Sequence, residues 1–171
     1  MGETEREWPS VLELAAQEEE LRWRRFDEDE AWRLGVALRE VAHARRAPVA
    51  VEVVRGDQQL FHAALAGSSP DNDAWLTRKA RTVRRFHLSS LHVGQVCRDA
   101  GRTLEEQFLL PSSEYAAHGG AFPITVVGVG VVGSVAVSGL PQLEDHALVV
   151  EVLRAVLASP DSNAAPGGLD M

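Results

Sequence analysis

Cysteine is nearly missing from this chain: Cys97 stands alone in 171 residues. One thiol can form neither an internal disulfide nor the multi-thiolate set of a structural zinc site. It lies in an apolar-patterned helix, where a buried structural thiol is the expected role. Long hydrophobic runs are missing too. No stretch reaches the roughly 18 consecutive apolar residues of a spanning helix, and Met1-Gly2-Glu3-Thr4-Glu5 lacks the pattern of a signal peptide. Positive charge is in deficit: 17 Lys and Arg face 25 Asp and Glu, a formal net charge of -8. That balance argues against nucleic acid as a partner. A cytoplasmic protein with no membrane association is expected.

What is present is a core. Hydrophobic residues make up 45% of the chain, enough for one domain of this length. Charged residues 1–9 read as a flexible N-terminal tail, residues 10–158 as the domain, and the small, polar and proline-rich residues 159–171 as a disordered C-terminal tail. No internal repeat is visible.

The stretch from His118 to His146 organises the rest. Val126, Val127, Val129, Val131, Val132, Val135 and Val137 are β-branched and favour strands. Gly128, Gly130 and Gly133 allow a turn or bulge between them. The same glycines spell G-x-G-x-x-G, a dinucleotide fingerprint. That motif needs a helix starting among its glycines, so that the N-terminus meets the pyrophosphate. Here valines continue as strand and the helix waits until about Glu144, so a β-hairpin is the reading.

In chain order, Ser10 with Glu13 reads as a capping box and Asp27 with Glu30 as a second cap. Leu21 to Phe26 alternates and predicts a short strand. Ala31, Leu34, Leu38, Val41 and Ala42 recur at helical spacing until Pro48. Val49–Val54 and Gln58–Leu65 flank a turn at Arg55-Gly56-Asp57, a second hairpin. A helix then carries Trp75, Leu76, Ala80, Val83 and Phe86 inward, with Arg78, Lys79, Arg81, Arg84 and Arg85 as a basic cluster. Ser89 or Ser90 caps the helix of Cys97, and Thr103 with Glu106 caps a short turn. The last helix leaves few polar positions, which predicts burial against a second subunit as well as the sheet. The sum is an α+β domain: an antiparallel sheet of about five strands with helices packed on both faces.

Metal-ligand spacing is poor. His87 and His92 fall on different helical faces, and Glu18, Glu19 and Glu20 fan around a helix. Ser138, or Asp145 with His146, would make a poor hydrolase, because adjacent helical residues diverge by about 100°.

Four stretches together resemble the GlcG/HbpS-like haem-degrading domain family, in its branch of small uncharacterised cytoplasmic proteins. They are Gln58-Gln-Leu-Phe-His62, Trp75-Leu-Thr-Arg-Lys79-Ala-Arg-Thr82, His118-Gly-Gly-Ala-Phe-Pro-Ile124, and Gly133-Ser-Val-Ala-Val-Ser138-Gly-Leu with Asp145-His146. The resemblance implies a profilin-like fold, a homo-oligomer built from dimers, and a cleft near the basic helix and the glycine-proline loop. It implies a small anionic ligand, with haem possible. The candidate binding residues are Arg78, Lys79, Arg81, His118, Gly119, Gly120, Phe122, Pro123 and His146. His62, His118 and His146 are the candidate iron ligands, and the cations could pair propionates. The function expected is binding, without classical enzyme catalysis; the alternative is a non-enzymatic oligomeric scaffold or adaptor.

Overall fold

A computed structural model describes residues 7–159; the remainder of both expected tails, residues 1–6 and 160–171, lies outside the described residues. Within them the chain runs α1 (Val11–Glu20), α2 (Glu28–Ala44), β1 (Ala50–Arg55), β2 (Gln58–Ala64), α3 (Pro70–Phe86), α4 (Ser90–Asp99), α5 (Leu104–Phe108), β3 (Ala121–Val126), β4 (Gly130–Ser138) and α6 (Gln142–Ala158). The strands form one antiparallel sheet in the order β2-β1-β4-β3.

The local signals act as their chemistry requires. Glu13 N–H donates to Ser10 Oγ at 3.2 Å, while Ser10 N–H donates to the Glu13 carboxylate at 2.7 Å. Asp27 accepts from Glu30 N–H at 2.9 Å, and Thr103 and Glu106 repeat the reciprocal cap. Between β3 and β4 the chain turns through Gly128 and Gly130, with φ of +79° and +110°, and no helix begins there. Gly133 continues in β4, where a Cβ would lie 2.0 Å from the Val54 carbonyl oxygen of β1. Its lack of a side chain serves strand packing and holds no nucleotide.

The expected fifth strand shrinks to one bridge. Only Trp23 of the Leu21–Phe26 stretch pairs with the sheet, donating to Thr125 O and accepting from Val127 N, each at 2.8 Å. Its fully buried indole and the edge-on Phe26 ring, 5.0 Å away, anchor the segment on the β3 edge.

Alternation along the strands sends the two faces in different directions. Val51, Val53, Phe61, Phe122, Ile124, Val135 and Val137 pack with Leu34 and Leu38 of α2 and Leu148, Val149, Val152 and Leu153 of α6. Each such side chain contributes about 1.5–3 kcal/mol by leaving water. The opposite face presents Ala50, Ala121 and Ala136, against which Leu76 and Val83 of α3 close.

The apolar character of α6 is absorbed inside one chain. Leu148, Val149, Val150, Val152, Leu153 and Val156 are all buried by α2 and the sheet. Its outer positions carry Glu151 and Arg154, paired to Arg45 and Glu20 at 2.6 and 2.8 Å. Ala147 and Ala155 stay exposed on the same helix. Among the described residues no helix is long and apolar enough to cross a membrane.

Candidate functional site

Helix α3 sets Trp75, Arg78, Lys79 and Thr82 along one side at helical spacing. Thr82 Oγ1 donates to Ala116 O at 2.9 Å, and Ala116 N–H donates to Arg78 O at 3.2 Å, stitching the loop before β3 onto α3. From the other side α4 approaches so closely that a Cβ on Gly94 would lie 2.1 Å from Ala117 O. Ser90 Oγ, at the start of α4, is within hydrogen-bond distance of both Ala121 N and Ala121 O. The loop that presents His118 is thus fixed from two helices.

His118 stands edge-on to Trp75 with ring centroids 4.9 Å apart, and the Arg78 guanidinium lies 4.0 Å from the same indole. Beside them opens a cavity of about 510 Å³ whose wall includes Arg78, Leu91, Cys97, Arg98, Arg102 and His118. Trp8, which sequence places in the tail, closes one side with Arg98 stacked 3.4 Å from its ring. His118 itself is exposed to solvent. Even so, desolvation, reinforced by the charges of Lys79, Arg78 and Arg98, pushes its imidazole below the ordinary histidine range. Burial raises the Cys97 thiol, which stays protonated.

A second cavity, of about 300 Å³, shares His118 and Gln142 with the first and also touches Asn72, Trp75, Lys79 and Asp145. At its floor Lys79 Nζ lies 3.1 Å from Asp145 Oδ2 and donates to Val137 O at 3.1 Å. Asp145 accepts further from Leu140 N at 3.0 Å and Gly139 N at 3.4 Å. Both side chains are nearly sealed from water, at 3% and 2% exposure. Burial pushes the lysine down and the carboxyl up, against their mutual attraction. Gly119 and Gly120 are close-approach residues here: a Cβ on Gly119 would meet Gln142 O at 2.4 Å, and one on Gly120 would meet Val137 O at 2.4 Å and Lys79 Nζ at 2.8 Å.

The remaining candidates diverge from this place. Arg81 leans to Glu114 O at 3.4 Å and borders a different hollow with Arg84, Arg85 and Tyr115. Phe122 is buried in the α2/α6 core and Pro123 within the sheet, so neither reaches the cavities. His62 pairs with Asp73 at 2.6 Å on edge strand β2. His146 is buried, with Nε2 2.7 Å from Gln17 Oε1 and Nδ1 without a partner among the described residues. Burial lowers its pKa to about 4, against the pull of Glu18. It borders a groove of about 640 Å³ along α6 that His118 does not touch. Among the described residues no group of three or more His, Cys, Asp and Glu side chains could hold a metal ion.

Sequence reasoning missed Arg98, Arg102, Asn72 and Gln142, which only the convergence of α3, α4 and α6 brings to His118. It also passed over a countable signal: every one of the 17 Lys and Arg residues except Lys79 is arginine.

Among known proteins, the UPF0303 protein SCO2848 of Streptomyces coelicolor is 59% identical over 145 residues, covering 85% of this chain and 92% of its own length. The crystal structure of the Ybr137w protein superposes with a TM-score of 0.82 at 32% identity, over 89% of this chain and 91% of that one. A structure described as a PduOC:heme complex shares the fold at a TM-score of 0.64 and 16% identity, over 78% of this chain and 95% of that one. The family described as haem degrading protein HbpS-like matches residues 26–154. On that match, and on the sheet and helices that carry it, the chain belongs to the HbpS-like family.

Proposed function

We propose that this protein binds haem, or a similarly flat and anionic small molecule, in the cavity beside His118. The observation that carries the reading is the union, in one cavity, of an imidazole with three guanidinium groups, those of Arg78, Arg98 and Arg102. The residues fit the group. Haem is an apolar plate with two carboxylates, and Leu91, Leu104, Ala116 and Ala117 offer apolar wall while the arginines offer paired donors. A protonated imidazole could not ligate iron, and the surroundings of His118 favour the unprotonated ring. Cys97 borders the cavity too, but its raised pKa argues against a thiolate ligand. Bound haem would supply one-electron and oxygen chemistry. The chain's own residues would hold it: His118 at the iron, Arg78, Arg98 and Arg102 at the propionates. The relative described as a heme complex supports the reading at the level of the fold.

Titration of the purified protein with hemin tests it. A saturable Soret shift is expected, lost in His118→Ala and retained in His146→Ala and His62→Ala. Absence of saturation in the unsubstituted chain overturns the proposal.

A second reading, an oligomeric scaffold, is favoured by exposed apolar side chains rather than by α6. Leu12, Leu109, Val127 and Val129 lie open on the surface, the last two at the β3–β4 turn. Light scattering decides it: a monomer at micromolar concentration removes the scaffold.

A further inference from the structure

We propose that Lys79 is the reacting amine of a second, smaller site, in which a short carbonyl compound bearing an anionic group forms a Schiff base. This site is the cavity of about 300 Å³ next to the proposed haem cavity, and the inference does not depend on haem binding.

Three independent observations converge on it. First, composition singles the residue out. A chain that uses arginine for every other basic position places its one lysine where water barely reaches. A guanidinium is never deprotonated and cannot act as a nucleophile, whereas a desolvated ammonium gives up its proton readily. Second, the amine has an acceptor for that proton. Asp145 Oδ2 lies 3.1 Å away, held by the amides of Gly139 and Leu140. Burial weakens Lys79 as a base and strengthens Asp145 as one, so proton transfer between them is easier than in water. Third, the cavity is furnished for a small anionic group. The side-chain oxygens of Asn72 and Gln142 already accept from Ser69 N and Gly119 N, at 2.8 and 3.1 Å. Their NH₂ groups are left as donors without a partner among the described residues. Gly120 adds no Cβ where one would press on Nζ.

The step balances without a co-reactant. Lys79 passes one proton to Asp145 and its nitrogen lone pair attacks the carbonyl carbon. The carbonyl oxygen takes the electron pair of its π bond and that proton, giving a carbinolamine. The hydroxyl then leaves as water, carrying a second proton from nitrogen by way of Asp145, and the C=N bond forms as an iminium. One ammonium and one carbonyl become one iminium and one water. The positive charge beside Asp145 is preserved, so the buried carboxylate is never left unpaired.

The test uses the full chain with glyoxylate as probe, borohydride reduction and peptide mapping. Lys79 is the one lysine of the sequence, so only an N-terminal α-amine competes with it and the assignment is direct. The expected result is a carboxymethyl group on Lys79, formed at least about tenfold faster than on the α-amine and slowed in Asp145→Asn. Lys79→Arg, which keeps a cation opposite Asp145, is expected to fold and to lose that adduct alone. Labelling confined to the α-amine, or labelling of Lys79 no faster in the native than in the urea-unfolded chain, overturns the inference.

Discussion

On one face of the sheet Val51, Phe61, Phe122, Ile124, Val135 and Val137 bury against α2 and α6; on the other, Ala50, Ala121 and Ala136 receive α3. The same strands therefore build a thick dry layer and a thin one. The small residues let α3 approach until Lys79 meets a carbonyl of β4 and a carboxylate of α6. Lys79 and Asp145 are held there by fixed partners, and cavities open where α3, α4 and the His118 loop diverge. The proposed binding sites lie on the face with the smaller apolar layer, and the larger apolar core lies on the other.

The sharpest way to break this contrast is Asp145→Ala. It leaves a buried ammonium on the Val137 carbonyl without its carboxylate, and a loss of about 3–5 kcal/mol is expected in denaturant unfolding. A loss below about 1 kcal/mol would mean that water reaches the pair. The dry face is tested next by Leu38→Ala, where an emptied α2 position should cost about 2–5 kcal/mol. Its counterpart on the thin face is Ala136→Leu. There the side chain is gained, and overpacking under α3 should cost about 1–3 kcal/mol.

His146 sharpens the comparison through pH. Its pKa is lowered from 6.5 to about 4 by burial. Above pH 6.5 neither state is protonated and the group is neutral to stability. As pH falls from 6.5 toward 4 the unfolded chain takes up the proton and the native chain does not. Stability then drops by at most about 1.4 kcal/mol per pH unit. Compared with His146→Gln, the unsubstituted protein should lose ground steadily across that window. A difference independent of pH would show that the ring is not held neutral. The smallest effect is expected at the surface. Arg45→Ala or Arg154→Ala removes a half-exposed pair to Glu151 or Glu20, and each should cost less than about 1 kcal/mol in thermal unfolding.

Much of the fold was legible because its signals are local. The caps at Ser10, Asp27 and Thr103 name their own partners three residues on, and glycines among valines announce a hairpin whatever the remote contacts. Two readings depend on distant partners that the sequence does not name. Alternation in Leu21–Phe26 resembles a strand, but only Trp23 meets the sheet, because the segment runs past the β3 edge rather than along it. The apolar α6 suggested a second subunit; most of its apolar side chains meet α2 and the sheet, and a sequence cannot tell that burial from burial by another chain. The site was half legible. Arg78, Lys79, His118 and the two glycines come together, and their family resemblance placed them. Arg98 and Arg102 carried no local mark. Phe122 and Pro123 follow His118 closely in sequence, yet strand β3 carries them away from the cavity.

The most direct test of the account is the position of iron in a crystal of the hemin-loaded protein, read from its anomalous signal. The account predicts iron bonded to His118, with carboxylates at Arg78, Arg98 or Arg102. Iron at His146 in the α6 groove, or at His62 on the sheet edge, would contradict it.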